Sequence, residues 1–502
     1  MTKSFRPSLK WNAAWNCAGT AGDAIIAVIT VPFTIRTLGV GTYGLWILVA
    51  SLTGCFGIVD LGVRNALGRQ LAFYRARGNV LGVNATLNTA LALLLGACAT
   101  AIVVLVVLQL LFFQLFDVPE EQTRLVRIAL MLAGLNLALS FPLSAFDSTL
   151  WAAERFDHLN QIGIIVNLFK VALLFMCLTA DNGLVLLPCL TLGGVVVAAF
   201  LKAVVTHRNY IGLSYGKRWV RRWACREIFG FGLWQFGGAF ATQLLSRVPV
   251  MAIGAFISPG AVTPYSVAEK VLSCFTSFFT AFTGVLTPRS AAYAAREELA
   301  RQQELFTQGA RICWGLAVFA GVGVWFFGPA LVTVWLGLEH QLVSVYLRIL
   351  AFGMVVYYSQ SVTMTILLGL ARHQILMVLT ILSSLLSSAG VICAARYGTG
   401  TAVCITVAVV WTLFGTAVLV HGCNVCRIPF AAYLRRAALP AFVASALVSF
   451  AWWTIGTHSP DSIATLFLHI GTFTTLFAGP FWWLCVRRQT VGKTFVASGS
   501  IC

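Results

Sequence analysis

Charge is what this chain has least of. Only 10% of its 502 residues are Asp, Glu, Lys or Arg, against 59% apolar side chains, and the 16 acids are outnumbered by 34 bases. With a mean hydropathy of +0.87, the composition excludes a soluble globular enzyme and leaves little chain for any domain outside a bilayer. Long polar segments are missing as well. The outer loops are too short to house a sugar-processing site, and they carry no carboxylate cluster of the kind a membrane glycosyltransferase would use. No catalytic constellation appears, so the chain reads as a non-enzyme.

Metal and nucleotide chemistry are equally poorly supplied. The 14 cysteines are mostly single residues in apolar runs, where Cys behaves as a small buried hydrophobe. His421, Cys423 and Cys426 have metal-like spacing but no visible fourth ligand, so packing is the expectation and no metal or cofactor is assigned. Two literal motifs fail on context. Gly39-x-Gly41-x-x-Gly44 copies the dinucleotide fingerprint without the strand that must precede it. Gly212-x-Ser214-x-Gly216 copies a nucleophile elbow inside a basic loop.

What is present is apolar sequence in lengths that cross about 30 Å of hydrocarbon. Spans are expected near 13–36, 42–66, 86–112, 125–149, 160–180 and 184–205, then near 229–257, 262–287, 310–336, 342–370, 375–396 and 400–421, with a last pair near 437–457 and 463–486. The predicted fold is an all-α polytopic membrane protein of about 14 transmembrane helices. It divides into a six-helix bundle (1–206), an amphipathic connector (207–228), a second six-helix bundle (229–421), a second connector (422–436), and two extra helices with a tail (437–502). The first helix has a basic start but no small-residue cleavage site, and is expected to stay attached.

The net charge of +18 would point to nucleic acid in a soluble chain, but its placement here sets topology instead. With the N-terminus cytoplasmic, 23 of the 34 bases fall on inner segments and four, Arg36, Arg124, Arg127 and Arg396, fall outside. Both termini are therefore expected in the cytoplasm, and nucleic acid is not an expected partner. The segment 217–229 places Trp219 and Trp223 four apart among Arg218, Arg221, Arg222 and Arg226, which suits a short helix in the headgroup layer, as an anchor or a docking surface. Trp11, Trp151, Trp335, Trp452, Trp453, Trp482 and Trp483 fall near span ends, as aromatic belts do.

Three correspondences recur at nearly one offset: His207 with Arg221 and Arg222 against His421 with Arg435 and Arg436; TLWAAERF (149–156) against ILLGLARH (366–373); and GVGTYG (39–44) against SPGAVTPYS (258–266), aligning Tyr43 with Tyr265. Six spans return the chain to the same side, so the pattern predicts two six-helix bundles in parallel repeat.

Five cations, Arg64, Lys170, Arg247, Lys270 and Arg348, lie inside or at the ends of the apolar runs. Each costs roughly 2.5–3.5 kcal/mol at a bilayer centre, so such residues face watery cavities and function. An anionic cargo is the first inference, with Arg247 and Lys270 as the main anion contacts, Arg348 assisting, Arg64 at the inner mouth and Lys170 at mid-depth, because Arg meets anionic oxygens in bidentate fashion. Asp60 and Arg64, four apart, can instead neutralise each other. Glu269 and Lys270 are adjacent and about 100° apart, so at least one needs another partner. Asp23 either caps a polar helix contact or, like Glu269, carries a coupling proton or sodium ion. Arg247 precedes Pro249 by two residues, which predicts a bent, pore-lining helix.

PFTIRTLGVGTYGLW (32–46), DLGVRNALGRQLA (60–72) and the fourteen-span pattern resemble the Wzx-type polysaccharide flippases of the multidrug/oligosaccharidyl-lipid/polysaccharide exporter superfamily. The likeness covers the whole chain in layout and residues 30 to 80 in sequence. It implies translocation of an undecaprenyl-diphosphate-linked oligosaccharide across the bacterial inner membrane by alternating access with ion coupling. It further implies membrane lipids, a polysaccharide polymerase and glycosyltransferases as partners. Two relatives compete. Cation-coupled multidrug exporters typically have twelve spans and acid-lined cavities; the lipid II flippase of peptidoglycan synthesis has fourteen spans and a cationic cavity. A non-transporting scaffold for glycan assembly is the reading from another class.

Overall fold

The computed structural model describes residues 9–57, 62–209, 213–284, 286–337, 340–370, 372, 374–455 and 462–483. Asp60, the terminal bases (Lys3, Arg6, Arg487, Arg488, Lys493) and residues 456–461 lie outside the described residues. Among the described residues the regular structure is helical throughout, and twelve helices are long and apolar enough to cross a membrane. The first of these is divided by a break at Gly39, and α8 (Pro259–Gly284) is a further long helix where a span was predicted. The all-α polytopic reading of about fourteen helices holds.

By packing, the chain separates into two compact units, residues 1–263 and 264–502. The first contains α1 (Leu9–Cys55), α2 (Val63–Ala76), α3 (Val80–Leu115), α4 (Glu120–Ala152), α5 (Phe156–Cys177), α6 (Gly183–Asn209) and α7 (Arg222–Phe256). Helix α7 packs on α1, α2 and α3 of the first unit.

The predicted 39–44 turn is a single-residue break. Gly39 takes φ 77° and ψ 163°, a conformation open to glycine, and the chain is helical again from Val40. Gly44 then lies so near the start of α8 that a Cβ would sit 2.0 Å from the Pro259 carbonyl oxygen, and the Thr263 hydroxyl donates to the Val40 carbonyl at 2.7 Å. The two turns matched as repeats therefore lock together. TLWAAERF and ILLGLARH likewise both end helices, α4 at Ala152 and α12 (Ser361–Gly369) at Gly369.

Three sequence expectations need correction. The span drawn to residue 66 stops at Cys55, because Gly62 (φ 74°) starts the separate helix α2. The connector is not a helix carrying Trp219 and Trp223 on one side. Lys217–Trp219 form a single 3-10 turn, Val220 and Arg221 are extended, and α7 begins at Arg222. The reason is a buried polar face on α3. Asn84 Oδ1 accepts from the Ser214 N–H (3.0 Å), Asn88 donates to the Ser214 carbonyl (2.8 Å) and accepts from the Gly216 N–H (2.9 Å), and Thr89 Oγ1 accepts from the Arg221 N–H (3.0 Å). These bonds hold the backbone extended where a helix would need the same donors and acceptors. Ser214 and Gly216 of the elbow-like string are thus held through their backbone, while Gly212 lies outside the described residues. Finally, Trp452 is no belt residue: it is buried, edge-on to Phe327 at 5.3 Å and Phe473 at 5.5 Å.

The second unit continues with α9 (Leu286–Ala295), α10 (Leu299–Leu336), α11 (Gln341–Ser359), α12, α13 (Gln374–Tyr397) and α14 (Gly400–Val425). The last pair starts early: α15 (Phe430–Tyr433) runs through a π-helical turn, Leu434–Ala438, into α16 (Leu439–Ile455), followed by α17 (Ile463–Phe481). This pair is docked on α10 through Phe327, Val448, Trp452, Phe473 and Phe477. A Cβ at Gly315 of α10 would meet Phe481 at 2.2 Å, which shows how close that approach is.

Candidate functional site: a polar pocket in the first unit

Apolar helices expose their rare polar groups only where something rewards it, and in the first unit several converge. An open pocket of about 270 Å³ is lined by α1, α5 and α6. Lys170 and Asn167, three apart on α5, share one face of that helix and line it together with Thr30, Thr34, Tyr43 and Trp46 of α1 and Thr191 of α6. Asn167 Nδ2 donates to Asp23 Oδ1 at 2.8 Å, and Asp23 lies near enough to Lys170 to attract its ammonium. The Lys170 stem crosses Gly194, where a Cβ would come within 2.7 Å of Cδ, so that glycine gives the long side chain its path.

The hydrogen-bond inventory defines what the pocket can hold. Thr30, Thr34 and Thr191 donate their hydroxyl hydrogens to Ile26, Thr30 and Pro188 carbonyls at 2.8, 2.7 and 2.9 Å. Their oxygens are therefore left as acceptors in the lining. One cation and one indole complete the lining. Acceptors suit sugar hydroxyls or a small cation, the ammonium suits a phosphate oxygen, and Trp46 offers an apolar face.

The other predicted cations are placed differently. Arg64 lies in the first turn of α2, exposed, rather than in a span, and its carbonyl accepts from Ser148 at 3.2 Å. Arg247 is half-buried on α7, with Nε 3.5 Å from Gln243 Oε1 and its guanidinium 3.2 Å from where a Gly54 Cβ would stand. That sets a cation beside the C-terminal turn of α1, where helix carbonyls favour it. Pro249 lies inside a continuous α7 and removes the helical donor for the Leu245 carbonyl. In the second unit Lys270 is exposed on α8, and Glu269 stands near the Tyr265 and Tyr358 hydroxyls. Arg348 faces apolar grooves and bonds the Trp325 carbonyl at 3.3 Å.

Two partnerships were missed by sequence reasoning. Asn167 carries no signal alone; its i,i+3 spacing from Lys170 was the available clue. Lys202, assigned to a helix end, pairs with Asp147 across α6 and α4 at 2.5 Å. Outside the spans, burial pushes the Tyr74 hydroxyl up, and the Glu227 carboxylate it donates to at 3.0 Å adds to the shift. Among the described residues no group of three or more His, Cys, Asp or Glu could hold a metal ion.

Two units of bundled spanning helices with an ionisable pocket inside one of them define the class: a polytopic membrane protein with the fold of the multidrug and lipid exporters. The chain belongs to the polysaccharide biosynthesis protein family, whose sequence model matches residues 9–294. It is 19% identical over 342 residues to the uncharacterized membrane protein EpsK of Bacillus subtilis (strain 168), covering 66% of each chain. An inward-facing multidrug resistance MATE family transporter of the MOP superfamily shares the fold at TM-score 0.66 and 15% identity, over 80% of this chain and 98% of that one. The lipid II flippase MurJ, inward closed, does so at TM-score 0.63 and 12% identity, over 92% and 98%. These neighbours are transporters and flippases rather than enzymes.

Proposed function

We propose that the chain translocates an undecaprenyl-diphosphate-linked oligosaccharide across the bacterial inner membrane, by alternating access, for surface polysaccharide synthesis, with both termini cytoplasmic. The observation that carries this reading is the pocket lined by Lys170, Asn167 and three acceptor hydroxyls, with exposed Asp23 bonded to Asn167 at its edge; family membership supplies the polysaccharide. Lys170 contacts the diphosphate, the threonine oxygens take sugar hydroxyls, and Trp46 packs on a sugar face. Arg64, Arg247 and Lys270 are further anion contacts, each within its own unit.

Asp23 is the candidate for the coupling cation, with Glu269 the second. While Lys170 attracts Asp23, a proton or sodium ion must compete with it; once a phosphate engages Lys170, Asp23 is released to bind the ion. Cargo and ion then favour each other, as linkage requires. The neighbouring structures are a multidrug resistance transporter and a lipid II flippase. A lysine in the pocket disfavours a cationic drug, and lipid II shares the diphosphate but not the glycan. Purified protein in proteoliposomes, offered both lipid-linked oligosaccharide and lipid II, tests the reading: movement of the first and not the second is expected, and the reverse would overturn it.

A further inference from the structure

Arg348 is the one predicted cargo cation with apolar surroundings on two sides. It stands seven residues into α11, about 10 Å from that helix's N-terminal end at 1.5 Å per residue, within a stretch long and apolar enough to cross a membrane. Among the described residues no carboxylate is paired with it; its contacts are the Trp325 carbonyl at 3.3 Å and the Trp325 ring, 5.1 Å from its guanidinium carbon. Arg348, Trp325 and Phe352 form a ridge shared by two grooves. One, of about 590 Å³, runs between α11 and α14 past Val345, Ile349, Ile405, Val409 and Leu413. The other, of about 470 Å³, runs between α10, α11 and α16 past Val322, Val355, Phe442 and Ser449. Phe352 is 75% exposed on the ridge. In the second groove lies Ser445, 4% exposed, whose hydroxyl has no hydrogen-bond partner.

A lone guanidinium in hydrocarbon needs an anion, and a buried hydroxyl with nothing to bond needs an acceptor. We propose that this surface of the second unit is a binding site for a two-chain glycerophospholipid. Its phosphate sits on Arg348, its two acyl chains lie in the two grooves on either side of Phe352, and an ester carbonyl accepts from Ser445. The two grooves and the orphaned hydroxyl choose the occupant. A prenyl phosphate has the anion but only one chain, and that chain has no carbonyl. The lipid supplies the countercharge that the protein does not, and ties α14 and α16 to the α10–α11 pair.

Native mass spectrometry of the full-length protein, titrated in detergent with dioleoylphosphatidylglycerol, tests the site without reference to transport. The wild type should retain the lipid, and Arg348→Gln should weaken retention about tenfold, the scale of a charge-assisted hydrogen bond. Ala446→Phe, which fills the second groove and leaves the cation in place, should weaken it as well, and Arg348→Lys should keep most of it. Unchanged thermal melting of the variants separates loss of the site from loss of fold. Equal retention by wild type and Arg348→Gln would overturn the proposal. Displacement of the phosphatidylglycerol by equimolar undecaprenyl phosphate would also overturn it, assigning the groove to a single-chain lipid.

Discussion

The Asn167 side-chain amide donates to the Asp23 carboxylate at 2.8 Å, joining α5 to α1 at the edge of the pocket that holds Lys170. If this carboxylate carries the coupling cation, Asp23→Asn keeps the shape and an oxygen for the amide but loses the charge. Glycan export in cells should fall at least tenfold at normal protein abundance, about what one charge-assisted contact is worth. Asn167→Ala should reduce it less. Full export by Asp23→Asn would transfer the role to Glu269 or remove it.

The connector should depend on α3. Asn88→Ala deletes a donor and an acceptor to the 214–216 backbone and leaves buried groups unpaired, at about 1–3 kcal/mol each. Limited trypsin digestion should then cut at Lys217 or Arg218 much faster than in the wild type. Equal cleavage rates would show that the staple contributes nothing.

Gly44→Ala should destabilise the first unit, because its Cβ meets backbone at Pro259 and backbone cannot rotate away. Overpacking of this kind costs about 1–3 kcal/mol. A lowered melting temperature is the expected result, while Gly41→Ala, with nothing within 4 Å of its Cβ, should melt like the wild type.

The helices were legible because apolar runs of span length have one stable solution in a bilayer, so α13 and α14 fall within a few residues of their predicted ends. What escaped were features decided by partners distant in sequence. Trp452 reads as a belt residue until α17 brings Phe473 against it, and the 217–229 segment reads as a helix until Asn84 and Asn88 take its backbone groups. At the site, Lys170 and Asp23 were visible as rare charges in apolar runs. Asn167, Thr30, Thr34 and Thr191 were not, since such residues are common in spanning helices and only the packing of α1, α5 and α6 makes them one surface.

Lys202 and Asp147 form an interhelical ion pair whose worth should be uneven. Lys202→Met leaves a carboxylate without its cation and should lower the melting temperature, whereas adding Asp147→Leu should recover part of the loss, because removing both charges is cheaper than stranding one. Additive losses in the double variant would contradict this.

The most direct test of the central claim is transbilayer movement of a fluorescent undecaprenyl-diphosphate-linked oligosaccharide in proteoliposomes, comparing wild type with Lys170→Gln at matched reconstitution. The proposed role of the α5 ammonium requires movement by the wild type and a loss of at least about tenfold in Lys170→Gln, the scale of one charge-assisted phosphate contact. Equal rates in the two proteins, or no movement by the wild type, would contradict it.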